Sequence, residues 1–196
     1  MSASSHLSHP LRSQRLNALT HEPHERLEAL VKAHEPFASR ENFARFVAAQ
    51  YLFQYDLQKL YRDPRLVALV DDLPVRCRVA AARLDLADFG VPVPAGDESI
   101  RSREMGVGEA LAWLFVSEGS KLGAEFLFQK AAALQLDETF GARHLAAPDG
   151  GRAQGWKSFV KVLDGAALDS EQERRADAAA IEAFERFAVH LERCFA

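Results

Sequence analysis

The sequence predicts an all-α domain, and three observations predict it. Apolar residues recur at three- and four-residue spacing in nearly every segment. No stretch alternates with the period of two that a strand requires. The breaks between segments fall at capping residues and prolines. With 196 residues the chain suits one domain that buries a substantial core.

Residues 1–10 are rich in Ser and His, carry no apolar run of the kind that directs secretion, and read as a disordered tail. The domain is expected over 11–196. Its first helical pattern runs from about Leu11 to Ala33, with Leu16, Leu19, Leu27, Leu30 and Val31 apolar. Pro23 interrupts it and predicts a kink or a fresh start, because proline lacks the N–H that a helix interior uses. Ser39 is a good N-cap for a helix over about 40–61, whose apolar face is Phe43, Phe46, Val47, Tyr51 and Leu57. Asp63 followed by Pro64 predicts a short helix to about Val70, and another follows Pro74 to about Asp88. Pro92, Pro94 and Gly96 make 90–106 a loop. A long helix is expected over about 108–134, then a loop over 137–152 with at most one helical turn. A short helix over 155–163 contains Trp156 and Phe159. Asp169 or Ser170 caps a last helix to about Cys194, with Ile181, Phe184, Phe187, Ala188 and Leu191 inward.

Composition narrows the function classes. A net charge of -4 argues against a general nucleic-acid binder. No run approaches the roughly 18 apolar residues that span a membrane. Cys77 and Cys194 stand far apart at no metal-ligand spacing and read as idle thiols, which suits a reducing cytoplasm. Thirteen Phe against three Tyr favour a core or pocket for a flat apolar ligand, since Phe has no hydroxyl to satisfy.

Two features carry chemistry. Among the histidines, His6 and His9 lie in the tail, and His34, His144 and His190 have no partner at ligand spacing. His21 and His24 flank Pro23. His24 has Glu28 four residues on, hence on the same helix face, where a carboxylate can hold the second nitrogen of a metal-bound imidazole. A plain surface His–Glu pair fits this spacing as well. The second feature is Ser117-Glu118-Gly119-Ser120-Lys121-Leu122-Gly123 between two apolar runs. Gly119 and Gly123 share one face, and each costs a helix about 1 kcal/mol relative to alanine. Tight helix packing would account for them. So would a flat ligand lying against bare backbone, with Glu118 and Lys121 turned elsewhere.

These segments, with Leu16-Asn17-Ala18-Leu19-Thr20-His21-Glu22-Pro23-His24, Glu35-Pro36-Phe37-Ala38-Ser39, the apolar run from Trp113 and Gly141-Ala142-Arg143-His144-Leu145, resemble the bacterial biliverdin-producing heme oxygenases, from about residue 11 to the C-terminus. The resemblance implies a single-domain helical fold with haem between a proximal and a kinked distal helix. It implies that His24 is the proximal iron ligand and that Glu28 is the carboxylate one turn on. Gly119, Ser120 and Gly123 then steer dioxygen on the distal helix. His144 is read as structural. Haem would be substrate and cofactor at once, with dioxygen and an external electron donor such as a ferredoxin or a flavin reductase. The anionic propionates need cationic or amide partners, and Asn17, Lys32 and Lys130 are the candidates, with Arg186 beside them. Phe115 and Phe187 are candidate ring contacts. The resemblance further implies a cytoplasmic monomer serving iron acquisition, with ring opening away from the α position to β or δ biliverdin. A haem carrier or sensor of the same fold is the alternative reading, and a ligand-free helical scaffold the third.

Overall fold

In the computed structural model, which describes residues 10–70 and 72–196, the first helical pattern divides in two. Helix α1 (Arg12–Leu19) and helix α2 (His21–Ala33) meet at Thr20. The expected break at Pro23 therefore falls three residues early. A proline at 23 gives the Leu19 carbonyl no N–H four residues on, so the helix lapses there and restarts with Pro23 in its first turn, where a missing donor costs little. The tail expected over 1–10 lies, apart from Pro10, outside the described residues.

Helix α3 (Arg40–Leu57) starts where the Ser39 hydroxyl accepts from the Asn42 N–H at 3.1 Å. It ends four residues before the expected limit, and a 3-10 turn at Leu60–Arg62 takes up the remainder. Asp63 caps helix α4 (Pro64–Val67). A second 3-10 turn, Leu73–Arg76, precedes helix α5 (Val79–Asp88), which thus begins later than Pro74 suggests. The expected loop over 90–106 contains a five-residue helix, α6 (Glu98–Ser102), with the Asp97 carboxylate accepting from the Ser99 N–H. Helix α7 (Val107–Ala132) is continuous through both glycines. After a 3-10 turn at Arg143–Leu145 come helix α8 (Arg152–Gly165) and helix α9 (Ser170–Phe195). At the start of α9, Asp169 and Gln172 cap each other at 2.8 Å in both directions. No strand forms among the described residues, only one isolated bridge between Asp137 and Gly141.

Helix α9 is the hub. Its face of Ala176, Ala179, Ala180 and Ala183 is fully buried, and such small side chains let α7 and α3 approach closely. Helix α3 runs through the centre of the core, with Phe43, Phe46, Leu52 and Leu57 buried. Helix α1 is pinned by polar contacts. The buried Arg12 guanidinium donates to the Leu163 and Ala166 carbonyls and to Glu173, while Ser13 donates to Asp164 through N–H (2.7 Å) and hydroxyl (2.8 Å). Two histidines left unassigned as ligands are core residues. His144 Nδ1 meets Asp85 at 2.8 Å and His190 Nε2 meets Asp56 at 2.7 Å, each pair buried. Among the described residues, no helix is long and apolar enough to cross a membrane.

Candidate functional site

Both α2 and α7 pack on α9, and between them opens a cleft of about 490 Å³. One wall is a single stripe along α1 and α2. It runs from Asn17 through Thr20, His21 and His24 to Leu27, Glu28 and Val31, the three- and four-residue steps of one helix face. The other wall is the middle of α7, with Phe115, Val116, Gly119, Ser120, Leu122, Gly123 and Leu127. Phe46, Gln50 and Phe53 of α3, Phe184 and Phe187 of α9, and Trp156 of α8 close the rest. Such a cleft, aromatic on most sides with few polar groups, suits a flat apolar ligand.

His24 presents an exposed imidazole to this space, its ring edge-on to Phe184 at a centroid distance of 5.9 Å. Glu28 lines the cleft but does not hold His24. It pairs with Lys32 at 2.9 Å, and that hydrogen bond draws its carboxyl below the usual glutamate range. Lys32, four residues on, reaches the carboxylate on its long arm, while His24 makes no hydrogen bond to it.

The two glycines differ. A methyl group built on Gly119 would meet the Trp156 ring at 3.5 Å, an ordinary contact. One built on Gly123 would meet nothing within 4 Å. Helix packing therefore does not require either glycine to be bare, and at Gly123 the open space belongs to the cleft. Ser120 lines the same wall, with its hydroxyl donating to the Ser117 carbonyl at 2.7 Å.

Behind that wall, the other face of α7 is held by a buried polar cluster. Glu118 accepts from the Tyr61 hydroxyl (2.7 Å), from Arg76 (3.3 Å) and from Lys121. Ser117 Oγ meets Tyr61 at 2.7 Å and accepts from Gln54 at 2.9 Å. Burial, with the Glu118 charge beside it, pushes the Tyr61 phenol well above its usual value. Burial lowers Lys121 against the pull of Glu118. Glu118 and Lys121 thus point away from the cleft, as the glycine pattern implies.

Of the expected residues, the cleft brings together Asn17, His24, Glu28, Phe115, Gly119, Ser120, Gly123 and Phe187. Three expected cations are not in its lining. Lys32 is turned to Glu28, Lys130 lies over the Phe126 and Phe37 rings at 4.4 and 5.5 Å, and Arg186 is bound to Asp56 at 2.7 Å and to Asp97 at 3.2 Å. Sequence reasoning missed Phe46, Gln50, Phe53 and Trp156 as wall residues, and it sorted His21 no further than its place beside Pro23. Only His21 carried a legible signal, three residues before His24 and so on its face. A wider groove of about 720 Å³ beside α3 is lined by Arg40, Arg45, Arg193 and the 88–94 segment. It holds none of the sequence-selected residues.

Among the described residues, no three His, Cys, Asp or Glu side chains group to hold an ion by themselves. An imidazole in an aromatic cleft, with no cluster of further metal ligands among the described residues, suits a metal that brings its own ring of ligands, so the residues present fit a haem. Both cysteines are free thiols, pushed up by burial.

The chain is similar to proteins of known activity. The family model described as heme oxygenase matches residues 11–193. The heme oxygenase PigA of Pseudomonas aeruginosa is 67% identical over 186 residues, covering 95% of this chain and 94% of that one. The NO- and CO-bound heme oxygenase from Neisseria meningitidis superposes with a TM-score of 0.88 at 34% identity, covering 95% of this chain and 93% of that chain. Heme oxygenase from Leptospira interrogans, at 16% identity and a TM-score of 0.73, covers 94% of this chain and all of that one, and shares the fold.

Proposed function

This chain belongs to the heme oxygenase family and is an enzyme that opens haem to biliverdin with release of iron and carbon monoxide; from that premise we propose how its residues do so. Haem supplies the iron that binds dioxygen and the ring carbon that is oxidised. His24 would hold the iron from the α2 side. An imidazole would push less electron density onto the iron than a thiolate. Phe184, edge-on to His24, restricts rotation of that ring.

On the α7 side Gly119 and Gly123 would let the backbone approach the macrocycle closely. Ser120 has its proton engaged by the Ser117 carbonyl and presents an acceptor rather than a strong acid. Gln50 supplies a carboxamide on the α3 wall. Phe46, Phe53, Phe115, Phe187 and Trp156 exclude water from the ring faces. The observation that supports this reading best is the meeting of His24 with Gly119 and Gly123 in one aromatic cleft, although nearly a hundred residues separate them in the chain.

The test is direct. With haem, dioxygen and a reductant, the purified protein loses its Soret band and yields a linear tetrapyrrole. His24→Ala loses the imidazole–iron spectrum and the turnover. A variant that retains both removes His24 from the role. A haem carrier or sensor would keep its Soret band under the same conditions.

The further calls are part of the same proposal. Electrons come from a separate donor, a ferredoxin or a flavin reductase. The enzyme works in the cytoplasm as a monomer and frees iron for the cell. Deletion of its gene then slows growth on haem as the iron source. The ring opens at β or δ, because the apolar Phe115 and the neutral Asn17 leave the rim beside them without a fixed charge. Chromatography of the product gives β or δ biliverdin from the wild type, and Asn17→Lys shifts it toward α. Purely α product from the wild type refutes this seating.

A further inference from the structure

The wider groove beside α3 lies across that helix from the aromatic cleft. Ala44 and Ala48 of α3 face the groove, whereas Phe46, Gln50 and Phe53 face the cleft. One helix, about 10–12 Å across with its side chains, separates the two spaces. Aromatic rings fill the passage between them. Phe46 of the cleft wall packs on the buried Phe43 at a centroid distance of 6.2 Å, and Phe43 packs on Phe89 of the groove at 6.0 Å. Rings packed at this spacing give a route of contiguous atoms from one space to the other.

The groove also keeps free positive charge in a chain whose net charge is -4. Arg45 is paired with Glu41 at 3.0 Å, and Asp88 with Arg143. Arg40 and Arg193 are different. The Arg40 guanidinium donates to the Leu134 and Gln135 carbonyls at 2.9 and 3.3 Å, and that of Arg193 to the Ala95 carbonyl at 2.9 Å. A neutral carbonyl leaves the charge in place, and neither arginine has a carboxylate partner among the described residues. Both are exposed, on either side of an apolar floor. Helix α2, which borders the cleft, has the opposite balance: Glu22, Glu25 and Glu28 are exposed against Arg26 and Lys32.

We propose that this groove docks the electron donor, and that the donor is a small acidic iron–sulfur protein of the ferredoxin class. The proposal rests on the haem-cleft reading above. Carboxylates around the donor's cluster meet Arg40 and Arg193, and the same carboxylates are repelled by α2, so charge selects the groove over the α2 side. One electron passes from the donor's reduced cluster to the ferric iron of bound haem. The cluster is left oxidised, the iron becomes ferrous, and no bond is made or broken. The Phe89–Phe43–Phe46 packing supplies the path through α3.

The experiment follows reduction of the haem-loaded protein by a reduced [2Fe–2S] ferredoxin, in stopped flow without oxygen and with carbon monoxide trapping the ferrous product. Wild type is compared with Arg40→Glu, Arg193→Glu, Arg193→Lys and Glu25→Lys, and a urea melt of each checks folding. The second-order rate is expected to fall about tenfold in each Arg→Glu variant at low salt. The difference shrinks as salt rises, because exposed charges are screened. Arg193→Lys keeps the wild-type rate, since it keeps the charge. Haem affinity and reduction by dithionite stay unchanged throughout. Unchanged ferredoxin rates in both Arg→Glu variants overturn the proposal, as does equal slowing with dithionite. Faster reduction in Glu25→Lys alone would put the donor on the α2 side and overturn it too. Failure of wild type to bind haem would fail the cleft reading instead. Calorimetric titration of the ferredoxin into the ligand-free protein, wild type against Arg193→Glu, then decides on the groove by itself.

Discussion

At the scale of single residues, Gly123 separates structure from function most cleanly. A Cβ atom there meets no protein atom within 4 Å and points into the cleft, so Gly123→Leu is expected to leave the ligand-free fold intact. Its stability even rises slightly, since glycine costs a helix about 1 kcal/mol relative to alanine. The leucine occupies the space proposed for the ring. Overpacking of this order costs about 1–3 kcal/mol, so haem affinity falls at least several-fold. Absorption titration beside a urea melt measures the two effects. Unchanged haem binding in the leucine variant would leave Gly123 no role in the cleft. Gly119→Ala is the milder change, because its methyl group meets only the Trp156 ring at contact distance.

At the scale of the element, α7 has two faces with opposite requirements. The cleft face is stripped of side chains at two positions, and nothing there stiffens the helix. The opposite face carries Ser117, Glu118 and Lys121, whose partners come from α3 and from the 3-10 turns at Leu60–Arg62 and Leu73–Arg76. Arg76 extends the cluster to α8, donating to the Gly155 carbonyl (3.0 Å) and the Ser158 hydroxyl (2.8 Å) on either side of Trp156. This cluster holds the glycine segment and the tryptophan in one register. Glu118→Ala leaves Arg76 and Lys121 without their buried carboxylate. Removing one partner of a buried pair costs about 3–5 kcal/mol, to be seen as a lower urea midpoint of the ligand-free protein. A midpoint unchanged from wild type would mean that the cluster is dispensable.

At the scale of the whole molecule, the wall that carries Asn17 is attached through ion pairs as well as apolar packing. Arg12 beside Glu173 draws its carboxyl down to about 2 from an ordinary 4.5, against the opposing effect of burial and with help from Arg15. A carboxyl whose folded value lies below its unfolded value stabilises the fold at higher pH, and the contribution is lost as pH falls through the folded value. The melting temperature of wild type should therefore drop between pH 4.5 and 2 more steeply than that of Glu173→Gln, which has lost this term already. Circular dichroism melts across that range check it, and parallel curves would assign the acid sensitivity to other groups.

The sequence by itself determined the all-α class and the caps at Ser39, Asp63 and Asp169. These depend on periodicity, on proline and glycine chemistry, and on contacts within a few residues, all local along the chain. It also placed the break of the first helix close to Pro23, within the three residues that the lost donor to Leu19 accounts for. Only the tertiary structure decided which side chains share the cleft. Gln50, Phe53 and Trp156 read as ordinary helix residues, and they become walls because α3 and α8 pack against α7. Likewise Glu118 joins Tyr61 and Arg76 from 57 and 42 residues away. Lys32, Lys130 and Arg186 have the right charge for propionates, but each finds a nearer partner: a carboxylate one turn back, two phenyl rings, a buried aspartate. Charge is written in the sequence, whereas the competition for it is settled in three dimensions, because electrostatic and aromatic partners are chosen by distance in space rather than along the chain.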